Sequence, residues 1–134
     1  MADEKVEFEL VSPERLLTSE SADMVVVPGA EGDFGVLPRH SLLISAVRRG
    51  VIQVWNDNAV SDRIFVAGGF CEVTSERCTV LAEEAVRVGE IDRQAVEAEL
   101  KDLREDAADA KSPEERAAVE ARIATREAML DVAA

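Results

Sequence analysis

The chain has 134 residues, enough for one compact domain or a small domain with an appendage. Its 28 acidic residues against 15 basic ones give a formal net charge of −13, which argues against nucleic acid or an anionic lipid surface as a partner. Apolar residues make up 47% and are patterned, which argues against disorder, and the longest uncharged runs (40–47 and 64–71) are about eight residues, far short of the roughly 20 that a membrane-spanning helix needs.

The start, Met-Ala-Asp-Glu, has neither the basic nor the apolar segment of a secretory signal, and two cysteines without such a signal fit a reducing compartment. Val6, Phe8 and Leu10 alternate with Glu7 and Glu9, the pattern of a half-buried strand. Pro13 makes a turn, and a second short strand is expected over about 15–19. Met24–Val27 is a β-branched run stopped by Pro28-Gly29. The segment Gly29 to Gly35 reads as a surface loop whose glycines supply positive φ. Further strands follow at 42–47, 51–55, 64–67, 70–74 and 78–82. Asn56-Asp57-Asn58 tolerates the left-handed region and closes a hairpin, and Gly68-Gly69 marks a tight turn or bulge. Turn signals at this spacing indicate an antiparallel sandwich or barrel.

Composition changes at Gly89. All seven glycines and all five aromatics lie at or before it, while residues 89–134 hold 12 alanines and no aromatic. We therefore divide the chain into a β domain, 1–88, and an α-helical hairpin, 89–134. Asp92 is the expected N-cap of a first helix, whose stripe is Val96, Leu100, Leu103 and Ala107. Ser112, Pro113 and Glu115 form the start signature of a second, with Val119, Ile123 and Leu130 on its apolar face. The short break makes the two helices antiparallel. The charge is shared: 15 acids and 8 bases before the boundary, net −7, and 13 acids and 7 bases after it, net −6.

Little here is equipped for chemistry. His40, Cys71 and Cys78 give three zinc ligands at best, one short of a structural site, so no metal is expected. The cysteines sit mid-strand, where they read as small apolar residues facing each other across a hairpin rather than as nucleophiles. Gly29–Gly35 is no phosphate loop, because no Lys-Ser/Thr pair follows and two acids interrupt it. Glu83 and Glu84 point to opposite faces of a strand, which disfavours a shared acid–base role. No catalytic residue is assigned. On these grounds alone the chain is a non-enzymatic acidic β domain with a helical hairpin and no function is assigned; a stand-alone acidic β-sandwich protein-binding module is the alternative to the reading that follows.

Two strings go further. Val27-Pro28-Gly29-Ala30-Glu31-Gly32-Asp33-Phe34-Gly35-Val36-Leu37-Pro38-Arg39-His40 resembles the signature segment of the epsilon subunit of bacterial F-type ATP synthases, the counterpart of the mitochondrial delta subunit. Phe65 to Val73, followed by Thr79 to Glu83, resembles a second block of that family. The resemblance implies a flattened ten-stranded antiparallel β sandwich followed by an antiparallel two-helix hairpin. It implies a rotor subunit with no chemistry of its own and no required cofactor. Such a subunit binds gamma, rests on the c-ring and couples proton flow to ATP synthesis, peripherally on the cytoplasmic face of the inner membrane. Glu31, Asp33, Arg39 and His40 fall in the segment that faces the c-ring loops in the family, with Arg39 standing where many relatives have glycine.

In many relatives the hairpin inhibits ATP hydrolysis when extended against the alpha and beta subunits, and in some it binds ATP when folded. Ile91, Asp92, Arg122 and Arg126 match the nucleotide-binding positions, but Ala95 replaces the motif's arginine, so ATP is expected to be at most a weak regulatory ligand. Residues 112–131 carry five acids against three arginines, a poor complement to acidic catalytic subunits, so inhibition is expected to be weak as well.

Overall fold

The computed structural model describes residues 4–133 and divides into two compact units, Met1–Arg87 and Val88–Ala134. The first contains eight strands: β1 (Val6–Val11), β2 (Leu16–Ala22), β3 (Met24–Gly29), β4 (Gly32–Val36), β5 (Leu43–Ala46), β6 (Gly50–Asn56), β7 (Ala59–Val73) and β8 (Arg77–Arg87). They form one hydrogen-bonded path, β2-β1-β8-β7-β6-β3-β4, with β5 paired to β7. β6 pairs with the first half of β7 and β5 with its second half. β1 lies over β3 and β2 over β6 without pairing, so the sheet encloses its core as a sandwich.

Apolar alternation builds that core. Val6, Phe8 and Leu10 of β1, Val25 and Val27 of β3, and Ile52 and Val54 of β6 are fully buried. A side chain the size of Phe8 contributes about 1.5–3 kcal/mol by burial. In β7 the buried parity switches from even (Ile64, Val66) to odd (Cys71, Val73), and β8 switches in step, from Cys78, Val80 and Ala82 to Ala85. The switch falls at Gly68 and Gly69, which have φ of 73° and 116°. No residue is inserted, since Ala67 still pairs with Glu84 and Gly69 with Ala82.

Several expectations need correction. The strands number eight rather than ten, because β7 and β8 run unbroken through the parity switch; cut there, they would supply the missing two. Gly68-Gly69 is accordingly neither a turn between strands nor a bulge with an extra residue. The sheet is also not wholly antiparallel, as β1 pairs with β8 in parallel, Glu7 opposite Arg77 through Val11 opposite Leu81. Pro28-Gly29 does not stop β3, and Gly32–Val36 is an edge strand rather than a loop. Its Phe34 packs against the core and Val36 is fully buried, an alternation hidden by the intervening glycine.

The second unit opens with a 3-10 turn (Val88–Glu90), followed by α1 (Arg93–Asp109) and α2 (Pro113–Val132). The Asp92 carboxylate accepts from the Ala95 amide at 3.1 Å. The Ser112 hydroxyl accepts from the Glu115 amide at 3.0 Å, while the Glu115 carboxylate reaches back to the Lys111 amide at 2.9 Å. Val96, Leu100 and Leu103 are the buried stripe of α1. On α2 the buried residues are Thr125 and Met129, with Val119, Ile123 and Leu130 only half-buried. Thr125 is satisfied by donating its hydroxyl to the Ala121 carbonyl at 3.1 Å. Among the described residues no helix is long and apolar enough to cross a membrane.

Candidate interaction site

The segment 31–40 is a turn, an edge strand and a second turn, so its polar residues lie at opposite ends of β4. Four steps of about 3.3 Å separate those ends by ~13 Å. At one end the β3–β4 hairpin reverses through Ala30 and Glu31, and Glu31 is exposed at its tip with no ion pair among the described residues. Asp33 is engaged: its carboxylate accepts from Arg48 Nη2 at 2.5 Å, and Arg48 Nη1 donates to the Gly29 carbonyl at 2.5 Å.

At the other end Arg39 has φ 66°, in the left-handed region that suits glycine. Its guanidinium pairs with Glu4 at 2.5 Å, and its amide donates to the Ser75 carbonyl at 2.7 Å. His40 donates Nδ1–H to the Ser41 carbonyl at 2.7 Å. Of the four polar residues, Glu31 is the one whose charge faces solvent uncommitted.

Sequence reasoning missed a third feature. One register row runs across five strands: Ala46 of β5, Phe70 of β7, Leu81 of β8, Val11 of β1 and Leu16 of β2. These residues point away from the core. Phe70 is 59% exposed and Leu81 and Leu16 are each 55% exposed, with Ile44 and Leu42 of the β5 segment at 72% and 80%. At about 4.8 Å per strand the row is ~19 Å long. Glu72 and Glu9 lie in the next row on one side, and Glu83 lies on the other. The signal was available: Leu81 sits between buried Val80 and Ala82, so β8 is apolar where a solvated face calls for a polar residue.

In the helical unit, the expected nucleotide residues are spread out. Asp92 serves as the α1 N-cap beside half-buried Ile91. Arg126 Nε is 2.9 Å from the Glu99 carboxylate, seven residues or ~10 Å along the helix from Asp92. Arg122, one turn further off, is exposed. Arg104 pairs with Glu127 at 3.3 Å.

Cys71 and Cys78 are free, fully buried and diagonal rather than directly opposite, because Cys71 faces Val80 and Cys78 faces Val73. Their sulfurs are 3.7 Å apart. The hydrogen bond between them, with burial, pushes the Cys78 thiol above the ordinary range, while the same bond lowers that of Cys71. Among the described residues no three His, Cys, Asp or Glu side chains are grouped to hold a metal ion.

Residues 5–88 match the family described as ATP synthase, Delta/Epsilon chain, beta-sandwich domain, and residues 92–134 match the family of the C-terminal domain of the ATP synthase epsilon chain. The sequence is 58% identical to the ATP synthase epsilon chain of Rhodospirillum centenum, over 100% of this chain and 94% of the relative. It is 53% identical to that of Rhodospirillum rubrum, over 95% of each. A chain of the Euglena gracilis mitochondrial ATP synthase has the same fold, with a TM-score of 0.75 at 20% identity, covering 93% of this chain and 79% of the other.

Proposed function

Because this chain belongs to the ATP synthase epsilon family through both of its domains, we propose that it works as a non-catalytic rotor subunit of the central stalk. The β unit binds gamma through the apolar row and bears on the polar loops of the c-ring through the Glu31 turn. Rotation of the ring then passes to gamma through a rigid sandwich, coupling proton flow to ATP synthesis on the cytoplasmic face of the bacterial inner membrane.

The observation that carries this reading is the row itself. Five strands of a soluble-type sandwich present apolar side chains in register on one face. An exposed stripe of this kind is a protein-docking surface, and its acidic borders favour a partner with basic residues beside an apolar ridge. Phe70 and Leu81 are already about half covered, so completing their burial supplies about 1–1.5 kcal/mol each. Replacing both with Asp should weaken gamma binding by ~100-fold. Co-purification of the F70D/L81D variant with gamma tests this, with Trp55 emission as the check on the fold. Stoichiometric assembly and full ATP synthesis with that variant would overturn the reading.

The hairpin is, on the same reading, a weak brake. Arg126 and Arg104 are spent on Glu99 and Glu127, leaving little positive charge for acidic catalytic subunits. Removing residues 89–134 should leave ATP hydrolysis by the complex within about twofold, and a larger rise would show that the hairpin inhibits.

A further inference from the structure

We infer that Arg48 is a positioning residue that sets the direction of the β3–β4 turn and thereby aims Glu31. Two hairpins of this chain reverse direction in different ways. The β6–β7 turn uses Asp57 and Asn58 at φ 54° and 64°, the primed geometry whose twist matches its strands. The β3–β4 turn cannot do this. Neither Ala30 nor Glu31 has positive φ, and the left-handed residue is Gly32, at 135°. The ladder nevertheless closes up to Gly29 opposite Gly32 with no shift of register.

The Arg48 fork ties the two strands of this turn from outside. Nη1 takes the Gly29 carbonyl at the end of β3, and Nη2 takes the Asp33 carboxylate near the start of β4, one contact on each strand. The backbone of the same segment adds two more ties: the Arg48 amide donates to the Pro28 carbonyl at 2.9 Å, and the Ala30 amide donates to the Ala46 carbonyl at 2.9 Å. A planar, rigid donor pair suits this task, and lysine, with a single donor tip, cannot span both strands in the same way. Arg48 and Asp33 are 45% and 60% exposed, so their pair adds little to global stability. Its effect is local order. It also neutralises Asp33, leaving Glu31 as the one uncommitted charge at this end of the sheet.

The consequence for coupling rests on the c-ring reading above, but the positioning itself does not. Full-length R48M, R48K and D33N variants separate the two. In R48M the Ala30 amide should exchange with solvent at least fivefold faster, and the Glu31 and Gly32 amides should lose picosecond–nanosecond order, while the Val54 amide and the denaturation midpoint stay unchanged. R48K and D33N should each fall between R48M and the parent. Unchanged Ala30 exchange and Glu31 order in R48M would overturn the inference. In the assembled complex, R48M should lower proton-pumping efficiency, and E31Q/R48M should be no worse than E31Q alone. A loosened turn with undiminished pumping would confirm the positioning role and count instead against Glu31 as the ring contact.

Discussion

Gly69 offers a test of the fold that can be worked from two separable terms. Its φ of 116° is closed to L-residues, and a Cβ built there would overlap the Leu81 carbonyl oxygen and stand 3.0 Å from Ala82 Cα. Both obstacles are backbone and cannot swing aside. Gly32 isolates the first term: its φ is 135°, but a Cβ there meets nothing within 4 Å. Gly89 has neither feature. Backbone strain alone costs about 1–3 kcal/mol, and an overpacking clash adds about 1–3 kcal/mol. G69A should therefore destabilise by ~2–6 kcal/mol and G32A by ~1–3 kcal/mol, with G69A the more costly of the two. G89A should be neutral or slightly stabilising, since it restricts the unfolded state. Urea titration followed by the emission of Trp55, the single tryptophan, reads the β unit directly. If G69A proved no more costly than G32A, the close passage of β8 across Gly69 would be wrong, and with it the parity switch that puts Cys71 and Val73 in the core.

Other predictions follow from single contacts. S112A removes the acceptor for the Glu115 amide and should cost the second helix about 1 kcal/mol, seen as lost ellipticity at 222 nm on mild heating. Hydrogen bonds from Lys5 and from the Asp57 amide hold the Asp23 carboxyl below its ordinary 3.8. Its stabilising contribution is therefore present above that pH and lost as pH falls through the lower folded value, so parent and D23N should converge in midpoint as the solution is made progressively more acid than that. Millimolar ATP should raise the thermal midpoint by under 1 °C, because Arg126 is held by Glu99 and the α1 start has Ala95; a rise of several degrees would show a competent site.

What the sequence disclosed follows from how local each determinant is. The Asp57-Asn58 turn and the Ser112-Pro113-Glu115 start were legible because each depends on residues within one turn of the backbone. The α1 stripe was legible because helix periodicity is local as well. β4 was not, since Gly35 breaks the alternation of Phe34 and Val36 that its pairing with β3 restores. The role of Arg48 was not legible either, because its partners lie 15 and 19 residues back and only the folded hairpin brings them to it. The Glu31–His40 block matched a family as a string, yet β4 holds its two polar ends apart. Arg39 holds a left-handed backbone that suits glycine, which only the folded turn reveals, and its guanidinium pairs with Glu4.

The parallel ladder between β1 and β8 has a consequence in time. Glu7 meets Arg77 and Val11 meets Leu81, so the first strand made must wait for partners about 70 residues later. At about 5–20 residues per second on the ribosome, that delay is ~4–14 s. Through it β1 has β2 as its one ladder partner, and the edge that β8 will take stays open. The sheet can zip up only after β8 emerges, so a nascent polypeptide stalled before residue 81 carries an unfinished strand edge. Newly made subunits should accordingly depend on holding factors during synthesis far more than the finished protein does, and release of the last strand, rather than growth of the helices, should set the pace at which an assembly-ready rotor part appears.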